Sequence, residues 1–255
     1  MHLGDRPVVR YPVEIGRLQH RDGVPPEGGA PLAVPIPEVL DPDEVYVPPG
    51  WFWSGGDPIL GTPRRRLWVD GVVFWRYPTT NRDWIALLEG LVAEGREAEA
   101  LLHVPRERGG TTPSGAMMYA RSPSGEFVLP PDAEGAQWGL DYPVAMIDWR
   151  GGAAYGRWLA ARTGLPWRLP GELEFEKAGR GVDGRLLPWG DFLDPTWACC
   201  FESHTGPQPS PASVYAYPTD ESPYGVRQLA GNMRSWRSEE HTSELQSQFR
   251  ISYAV

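Results

Sequence analysis

The chain has 255 residues, a net charge of −9 and an isoelectric point near 5.1, which disfavours nucleic acid as a partner because nucleic-acid binders usually carry a basic face. Hydrophobic residues make up 41% of it, with 28 Pro, 30 Gly and 12 Trp, so we expect an ordered, loop-rich fold with a sizeable core. No apolar run approaches the ~18 residues that span a bilayer, and the first residues lack an apolar segment typical of a signal peptide. These features predict a cytoplasmic protein without a membrane partner.

Residues 1–44 are predicted to be the end of an upstream β segment followed by a linker. The stretch PVVRYPVEIGRL, from Pro7, suits one or two strands, with Pro12 allowed only at an edge or a bulge. The stretch VPPEGGAPLAVPIPEVLDPDE, from Val24, is rich in proline and typical of an extended linker. The sequence becomes compact in character from Val45, where we place the start of the main domain.

The first elements of this domain are predicted to be strands and a helix. RRRLWVDGVVFWRYP, from Arg64, alternates and favours strands with a turn at Asp70–Gly71. Thr80 or Asn81 can cap the helix that follows, and Gly95 can end it. An apolar face on that helix is indicated by residues spaced three and four apart: Trp84, Leu87, Leu88 and Leu91.

Shorter elements are predicted after this helix. A second helix spans Arg96–His103, and residues 107–135 form a loop and a hairpin. YPVAMIDWRGGAAYGRWLAARTGLPWRLP, from Tyr142, predicts a strand and then a helix capped by Asp148 and ended by Gly164 and Pro166. Its buried stripe is expected to comprise Ala154, Trp158 and Ala161. GELEFEKAGRG, from Gly171, predicts a further short helix.

Several patterns that can carry chemistry favour structural interpretations here. GRGVDG, Gly179–Gly184, fits the dinucleotide-binding spacing, but a helix precedes it where a strand is required, so a glycine turn is expected. Glu172 and Glu176 share a helix face and are expected to be solvated. The basic run Arg64–Arg66 is expected to be a solvated strand edge.

Metal-binding patterns are equally sparse. The five histidines are scattered and show no ligand spacing, which disfavours a zinc or iron site. Cys199 and Cys200, the only cysteines, are adjacent; their side chains diverge, so we expect a small buried pair of reduced thiols.

Five blocks in order resemble the formylglycine-generating enzyme family, also called sulfatase-modifying factors. They are GWFWSGGDP, RRRLWVDGVVFWRYPTTN, YPVAMIDWRGGAAYGRWLAARTGLPWRLPGELEFEKAGRG, DGRLLPWGD and SPYGVRQLAGNMRSW. The match covers residues 45–236. In its detailed sequence the chain is most similar to bacterial members fused to serine/threonine protein kinases. Residues 1–44 would then be the tail of an upstream domain. A kinase domain is therefore an expected partner.

The resemblance implies an α+β, C-type-lectin-like fold with little regular secondary structure. It also implies two helices packed against small twisted sheets. Six tryptophans would then be largely buried: Trp51, Trp53, Trp68, Trp84, Trp158 and Trp189.

The family activity implied is oxidation of a protein cysteine to formylglycine with O2 and copper(I). In the family, two cysteines hold the copper and follow a G-G-S-W segment downstream of the block that ends here at Trp236. Neither the segment nor those cysteines exist in this chain, and Cys199 and Cys200 lie upstream. The resemblance therefore implies no catalytic residues and no copper for this chain.

Calcium sites are also implied by the resemblance. One uses a frame that falls on Gln228, Gly231, Met233 and Ser235. Gln228 and Ser235 stand where carboxylates or an asparagine are usual, and calcium prefers carboxylate oxygens. Cys199 and Cys200 fall about where the other calcium site has an asparagine and its neighbour, and we do not carry that site over.

The composition changes after Trp236. RSEEHTSELQSQFRISYAV, residues 237–255, resembles the translation of a short-read sequencing adapter. We expect this tail to be non-native and the domain to be incomplete at its C-terminus. The alternative is a genuine polar, disordered tail.

Three functions remain open from the sequence. The first is a formylglycine-generating enzyme-like domain that is inactive as it stands, with a peptide or protein as the family substrate. The second is a non-catalytic ligand-binding or regulatory module of a kinase fusion. The third is a small-thiol oxidase of the ergothioneine type, which needs an iron site that the histidine spacing disfavours.

Overall fold

The computed structural model describes residues 8–14, 24, 26–30, 34, 36–56, 61–107, 115–131, 135, 137–204, 210–238 and 252–254. The strands are Glu44–Val47 (β1), Gly50–Ser54 (β2), Arg65–Val69 (β3), Val72–Trp75 (β4), Ala120–Arg121 (β5), Phe127–Val128 (β6), Trp167–Arg168 (β7) and Ser252–Ala254 (β8). The helices are Asn81–Ala93 (α1), Glu97–His103 (α2), Trp149–Thr163 (α3) and Glu172–Arg180 (α4), with a 3-10 turn at Phe201–Ser203. Among these helices none combines the length and apolar character needed to cross a bilayer.

An antiparallel ribbon of two chain segments runs through the molecule. β1 pairs with β4 and β2 with β3, and both pairs keep one register: Val47 faces Val72, and Gly50 faces Val69. Pro48–Pro49 interrupt the ladder because proline has no N–H to donate. The strands predicted on either side of Asp70–Gly71 are confirmed, but they pair with β1 and β2 and not with each other.

Lys177 on α4 fills this interruption. It is the only lysine of the chain and is 1% exposed. Its Nζ donates hydrogen bonds to the carbonyls of Pro48 at 2.7 Å, Gly50 at 3.0 Å and Val69 at 3.3 Å. An ammonium has three N–H donors, so these acceptors satisfy it. Burial lowers the pKa of Lys177 to about 7.

The β1–β4 half of the ribbon separates two hydrophobic cores. Alternate residues of a strand point to opposite faces, and here both faces are covered. Tyr46 and Val73 belong to the larger core, with α1, α3 and β7. The other face packs against α4 and the loop that contains Tyr224. This second core is made of Val45, Val47, Val72, Phe74, Ala178, Tyr224 and Val226.

The predicted helices are confirmed, with one change of face. Thr80 caps α1 through a reciprocal hydrogen bond with Asp83, and Trp84, Leu87, Leu88 and Leu91 are buried as expected. Asp148 caps α3, which ends at Gly164 in the left-handed region. The stripe predicted for α3 is wrong at Ala161, which is exposed, and Trp158 is half-buried. The helix buries its glycines, Ala154, Tyr155 and Leu159 instead, because β7 and α1 approach a face that small residues leave open.

One further prediction needs correction. The expected strand after Tyr142 is reduced to a single bridge between Pro143 and Thr80, since Pro143 has no N–H to extend a ladder.

The six tryptophans expected to be largely buried are all shielded from solvent to some degree. Trp84 is fully buried, at 1% exposure. The other five are partly buried: Trp51, Trp53, Trp68, Trp158 and Trp189.

The segments outside residues 45–236 contact the domain where they are described. Residues 8–14 form no strand, contrary to the strand prediction, and Arg10 pairs with Glu221 at 2.6 Å. β8 lies between β4 and β7, parallel to both. Strand pairing uses backbone groups, so it does not identify the origin of these residues. The predictions of a separate origin for 1–44 and of a non-native tail at 237–255 stay predictions.

Replacing Lys177 with methionine is expected to lower the free energy of unfolding by about 3 kcal/mol or more, because each buried carbonyl left without a partner costs about 1–3 kcal/mol. Chemical denaturation measures this change. Arg150→Met, at an exposed position of α3, is the control and should change stability by less than about 0.5 kcal/mol.

The same lysine predicts a pH dependence. Its folded-state pKa of about 7 lies below the ordinary lysine value of 10.5, so between these values the unfolded state binds more protons. The free energy of unfolding should therefore rise with pH in this window, by up to about 1.4 kcal/mol per pH unit. Lys177→Met should lack this increment, and an equal slope in both proteins would contradict the assignment.

Candidate functional site

A cleft of about 170 Å³ lies where the end of α2 meets the start of α3. Its polar lining is His103, Arg106 and Asp148. The remaining lining residues are Trp84, Leu102, Val104, Met146, Ile147 and Gly151. Because the cleft joins three helices and two loops, its shape depends on how those elements are held together.

Trp84 forms the rigid floor of the cleft. Its indole N–H donates to the carbonyl of His103 at 2.8 Å and so ties α1 to the end of α2. Its ring stacks on Tyr155 of α3 with centroids 5.7 Å apart. A buried indole with its N–H satisfied is a strong anchor, so this residue fixes three helices around the cleft.

The first turn of α3 packs tightly against Asp148 and Trp84. Asp148 accepts a hydrogen bond from the Gly151 backbone N–H at 2.7 Å, which caps the helix. A Cβ on Gly151 would lie 3.3 Å from both Asp148 Oδ1 and the Trp84 ring. Glycine at this position therefore keeps the cap and the indole close to each other.

Met146 carries backbone strain at the cleft. Its φ is +58°, in the left-handed region that a side chain with a Cβ disfavours. Its carbonyl accepts the Arg106 backbone N–H at 3.3 Å, and its side chain is 48% exposed. Strained residues of this kind cluster at ligand sites and switches.

The polar groups of the cleft carry one positive charge, on Arg106, and one negative charge, on Asp148. Burial lowers the pKa of His103, opposed by the carboxylates of Glu99 and Asp148, so the imidazole is neutral at physiological pH. The Arg106 guanidinium donates to the carbonyls of Gly115 and Leu101. A guanidinium has five N–H groups, so this side chain can also bind an acceptor in the cleft.

Two exposed tryptophans flank the cleft. Trp149 is 45% and Trp236 is 43% exposed. The Trp236 indole donates to the carbonyl of Ile147 at 3.0 Å, and the Trp149 indole donates to that of Arg237 at 3.1 Å. These crossed bonds join the end of the GNMRSW segment to the wall of the cleft, and they present aromatic surface beside it.

The residues of the predicted calcium frame lie apart from this cleft's lining. Gln228 is buried, donates its amide N–H groups to Ser213 and Ala216, and accepts from Asn232 with its amide oxygen. The Gly231 carbonyl accepts the Met233 N–H at 2.9 Å. Ser235 is exposed.

These contacts do not fit calcium. The ion needs six to eight oxygens, usually including carboxylates, and the four residues offer no carboxylate while the Gln228 oxygen is already bonded. The nearby carboxyl of Asp220 is 1% exposed, and burial raises its pKa to about 6. Calcium binding by the four residues stays a prediction.

The two cysteines differ from the buried pair that was expected. Cys199 is buried, but Cys200 is only half-buried. Cys199 Sγ lies 3.6 Å from His204 Nε2, and Cys200 Sγ lies 3.1 Å from Ser203 Oγ. The contact between Cys199 and His204 could not be predicted from spacing, because the two residues lie five positions apart in a loop and show no motif.

The other candidate motifs behave as follows. Glu172 is exposed as expected, but Glu176 accepts hydrogen bonds from Ser54 and the Gly55 N–H and pairs with Arg180, so the solvated interpretation is wrong for it. GRGVDG covers the end of α4 and the turn after it, in which Gly181 and Gly184 have positive φ, so the predicted glycine turn is confirmed. Arg64–Arg66 are exposed, and the first and last lie over Trp53 and Trp51.

Comparison with known proteins identifies the family. A model of the sulfatase-modifying factor enzyme 1-like domain matches residues 31–253. The chain belongs to this family. The resemblance drawn from the five sequence blocks is confirmed at that level, together with the mixed helix and strand content.

Individual relatives of this sulfatase-modifying factor domain carry two enzyme names. The formylglycine-generating enzyme of Mus musculus is 28% identical over 76% of this chain and 57% of its own length. The hercynine oxygenase of Mycolicibacterium smegmatis is 30% identical over 87% of this chain and 51% of its own length. The chain thus spans little more than half of these relatives.

Solved structures support the fold. PvdO from Pseudomonas aeruginosa superposes with a TM-score of 0.54 at 20% identity, covering 76% of this chain and 69% of that one. CarF gives a TM-score of 0.51 at 17% identity, covering 85% and 89%. At these identities the likeness concerns the sulfatase-modifying factor fold alone.

Replacing Met146 with glycine is expected to raise the free energy of unfolding by about 1 kcal/mol, because glycine adopts a positive φ without Cβ crowding. Met117 is the matched control, since it is 47% exposed and has no positive φ. Met117→Gly should lower stability by about 0.5–1 kcal/mol. Denaturation curves that shift in the same direction for both variants would show that Met146 is not strained.

Proposed function

We propose that the chain is a formylglycine-generating enzyme-like domain that binds a peptide side chain in the cleft and does not itself oxidise cysteine. The family match and the named relatives support the first part. The cleft supports the second, and the observation that carries it is the pairing of a cationic Arg106 and a neutral His103 in one cavity lined without a thiol.

Sulfur chemistry argues against oxidation by this chain. Copper(I) prefers thiolate donors, and the resemblance implies two cysteines at the family's copper site. The chain has only Cys199 and Cys200, and neither lines the cleft. Burial raises the pKa of Cys199, which disfavours the thiolate that a metal or an oxidation step needs.

The size of the cleft favours a side chain as its ligand. Pockets that hold drug-sized molecules span about 300–1,000 Å³, whereas this one has about 170 Å³. A single side chain fits that volume, and Trp149 and Trp236 beside it offer surface to the rest of a peptide. Aromatic surface of this kind is enriched where proteins bind peptides.

The wider setting of the domain belongs to the same proposal. A serine/threonine kinase domain upstream, a cytoplasmic location, a domain incomplete at its C-terminus and a tail of adapter origin all rest on sequence resemblance and composition. In that setting the domain is a ligand-binding regulatory module. Amplifying the locus from source DNA tests the tail: a native stop codon after Val255 would refute its adapter origin.

An oxygen-consumption assay tests the absence of turnover. With copper(I) and a peptide of the C-x-P-x-R type, the chain is expected to consume oxygen no faster than a protein-free control, because its thiols are not placed at the cleft. Mass spectrometry of the peptide should show no aldehyde. Aldehyde formation that depends on the protein would overturn the non-catalytic assignment.

Peptide binding to the cleft is tested separately with a version of the same peptide in which serine replaces cysteine. Calorimetry should detect binding to the chain, and Arg106→Gln should weaken it by about tenfold or more, equivalent to about 1.4 kcal/mol. Arg96→Gln, at the exposed start of α2, should bind like the parent. Equal affinity in all three proteins, or no binding at all, would contradict the cleft as the site.

A further inference from the structure

A patch of exposed apolar side chains lies on the loop that follows α4, apart from the lining of the cleft. Phe192 is 69% exposed, Leu193 is 54% exposed and Phe201 is 70% exposed. A single exposed apolar residue is ordinary, whereas a cluster of large ones marks an interaction surface. We call this cluster the apolar patch, and it comprises Leu186, Trp189, Phe192, Leu193, Trp197 and Phe201.

Three aromatic rings form the centre of the apolar patch. Trp197 meets Trp189 edge-on with ring centroids 6.1 Å apart, and it meets Phe192 in the same way at 6.2 Å. Edge-to-face contacts of this kind are favoured by aromatic pairs. Both tryptophans are half-buried, so they hold the exposed ring of Phe192 in place.

Hydrogen bonds fix the conformation of this loop. Leu187 and Gly190 exchange backbone hydrogen bonds of 2.8 and 3.0 Å. The Trp189 indole donates to the Phe192 carbonyl at 2.7 Å, and Asp191 accepts the backbone N–H of the first patch residue at 2.8 Å. A surface that is already ordered loses little conformational entropy when a partner binds, so the apolar patch is preorganised for binding.

The turn that carries Phe201 is tied to the same loop. The Ser203 hydroxyl donates to the Pro195 carbonyl at 2.6 Å, and the Trp197 backbone N–H donates to the Asp194 carbonyl at 3.0 Å. These bonds fix the position of Phe201 relative to the three rings.

The charge of the apolar patch is negative. Residues 186–203 contain three acidic side chains and no lysine or arginine. Each acidic residue is next in sequence to an exposed apolar one: Asp191 precedes Phe192, Asp194 follows Leu193, and Glu202 follows Phe201. Carboxylates therefore accompany the apolar side chains along the whole patch.

Neighbouring charges do not cancel this negative charge. Hydrogen bonds from Thr196 lower the pKa of Asp194, so this carboxyl is ionised at neutral pH. Arg185, immediately before the segment, pairs with Asp183 at 2.7 Å, so its charge is already offset. The apolar patch thus combines aromatic faces with carboxylates, and both attract cations.

We propose that the apolar patch docks a segment of a partner protein that carries lysine or arginine between apolar residues. The apolar side chains of such a segment cover the rings, and its cations lie over aromatic faces and beside the carboxylates. A second copy of the chain is disfavoured, since each copy has a net charge of −9 and like-charged surfaces repel each other. The patch shares no residue with the lining of the cleft, so the proposal does not depend on peptide binding there.

Fluorescence anisotropy with three labelled peptides tests the proposal on the 255-residue chain. The peptide K-L-K-F-L-K has both features, K-S-K-S-S-K keeps only the charge, and E-L-E-F-L-E keeps only the apolar residues. The chain is expected to bind the first peptide about tenfold more tightly than either of the others, or better, equivalent to about 1.4 kcal/mol. Equal binding of the first peptide and either control overturns the proposal, as does the absence of binding.

Matched variants locate the docking surface. Phe192→Ser should weaken binding of K-L-K-F-L-K by about tenfold or more, whereas Val39→Ser, at a position outside the patch that is 75% exposed, should bind like the parent. Glu202→Gln should weaken binding by about twofold or more, whereas Glu38→Gln, also at an exposed position, should not. Unchanged binding in Phe192→Ser overturns the assignment.

Sedimentation of the parent chain and of Phe192→Ser distinguishes self-association from docking. Monomers are expected for both, and a parent dimer that dissociates in Phe192→Ser would assign the patch to a second copy and overturn the proposal. Because Phe192 is exposed, its variant should keep the melting temperature of the parent. If it does not, peptide binding by Phe201→Ser against Val39→Ser decides.

Discussion

The side-chain amino group of Lys177, which donates to three carbonyl oxygens, connects α4 to the ribbon. Lys177 lies more than a hundred residues from each carbonyl that it binds, so its hydrogen bonds close long chain loops. Pro48–Pro49 create the need for it, because two prolines cannot donate to the opposite strand. A lysine that brings three N–H donors to the interruption satisfies carbonyls that would otherwise be buried without partners.

The ribbon that Lys177 completes positions both cores and, through one of them, the cleft. Tyr46 and Val73 on one face of the ribbon pack into the core that also contains Trp84 and Tyr155. Trp84 then ties the end of α2 to α1, which defines one wall of the cleft. The Trp236 bond to Ile147 fixes the other wall. A sulfatase-modifying factor fold with little regular structure can therefore hold a precise site, because side chains with satisfied polar ends replace long ladders.

Local patterns predicted the helices well, because a cap and a period are encoded by neighbouring residues. Thr80, Asp148 and the Trp84 face all follow from spacing alone. The face of α3 could not be predicted in this way. Its buried glycines allow close approach of β7, since a Cβ on Gly156 would lie 3.1 Å from the Arg168 backbone, and such an approach depends on the tertiary fold.

Some buried polar side chains could not be predicted from the sequence, because their burial depends on contacts with residues far away in the chain. A lysine and a glutamate within an amphipathic helix normally indicate a solvated face, yet Lys177 and Glu176 contact β2 and its loop. Lys177 meets its acceptors at a proline interruption far away in the chain, and Glu176 accepts from Ser54 and Gly55 beyond it. The approach of His204 to Cys199 depends likewise on the loop path around Gly231. The family, by contrast, could be identified from sequence, because five blocks keep their order and spacing.

The single lysine allows the central claim to be tested directly. Incorporation of lysine labelled with 13C at Cε gives one side-chain signal for the whole chain, and its chemical shift reports protonation as the pH changes. We expect a signal that titrates far below the ordinary lysine value of 10.5. Denaturant should move its chemical shift to the value of the unfolded chain. A signal whose position is the same in the folded and the unfolded chain would show that Lys177 is solvated and that the ribbon is held by other means.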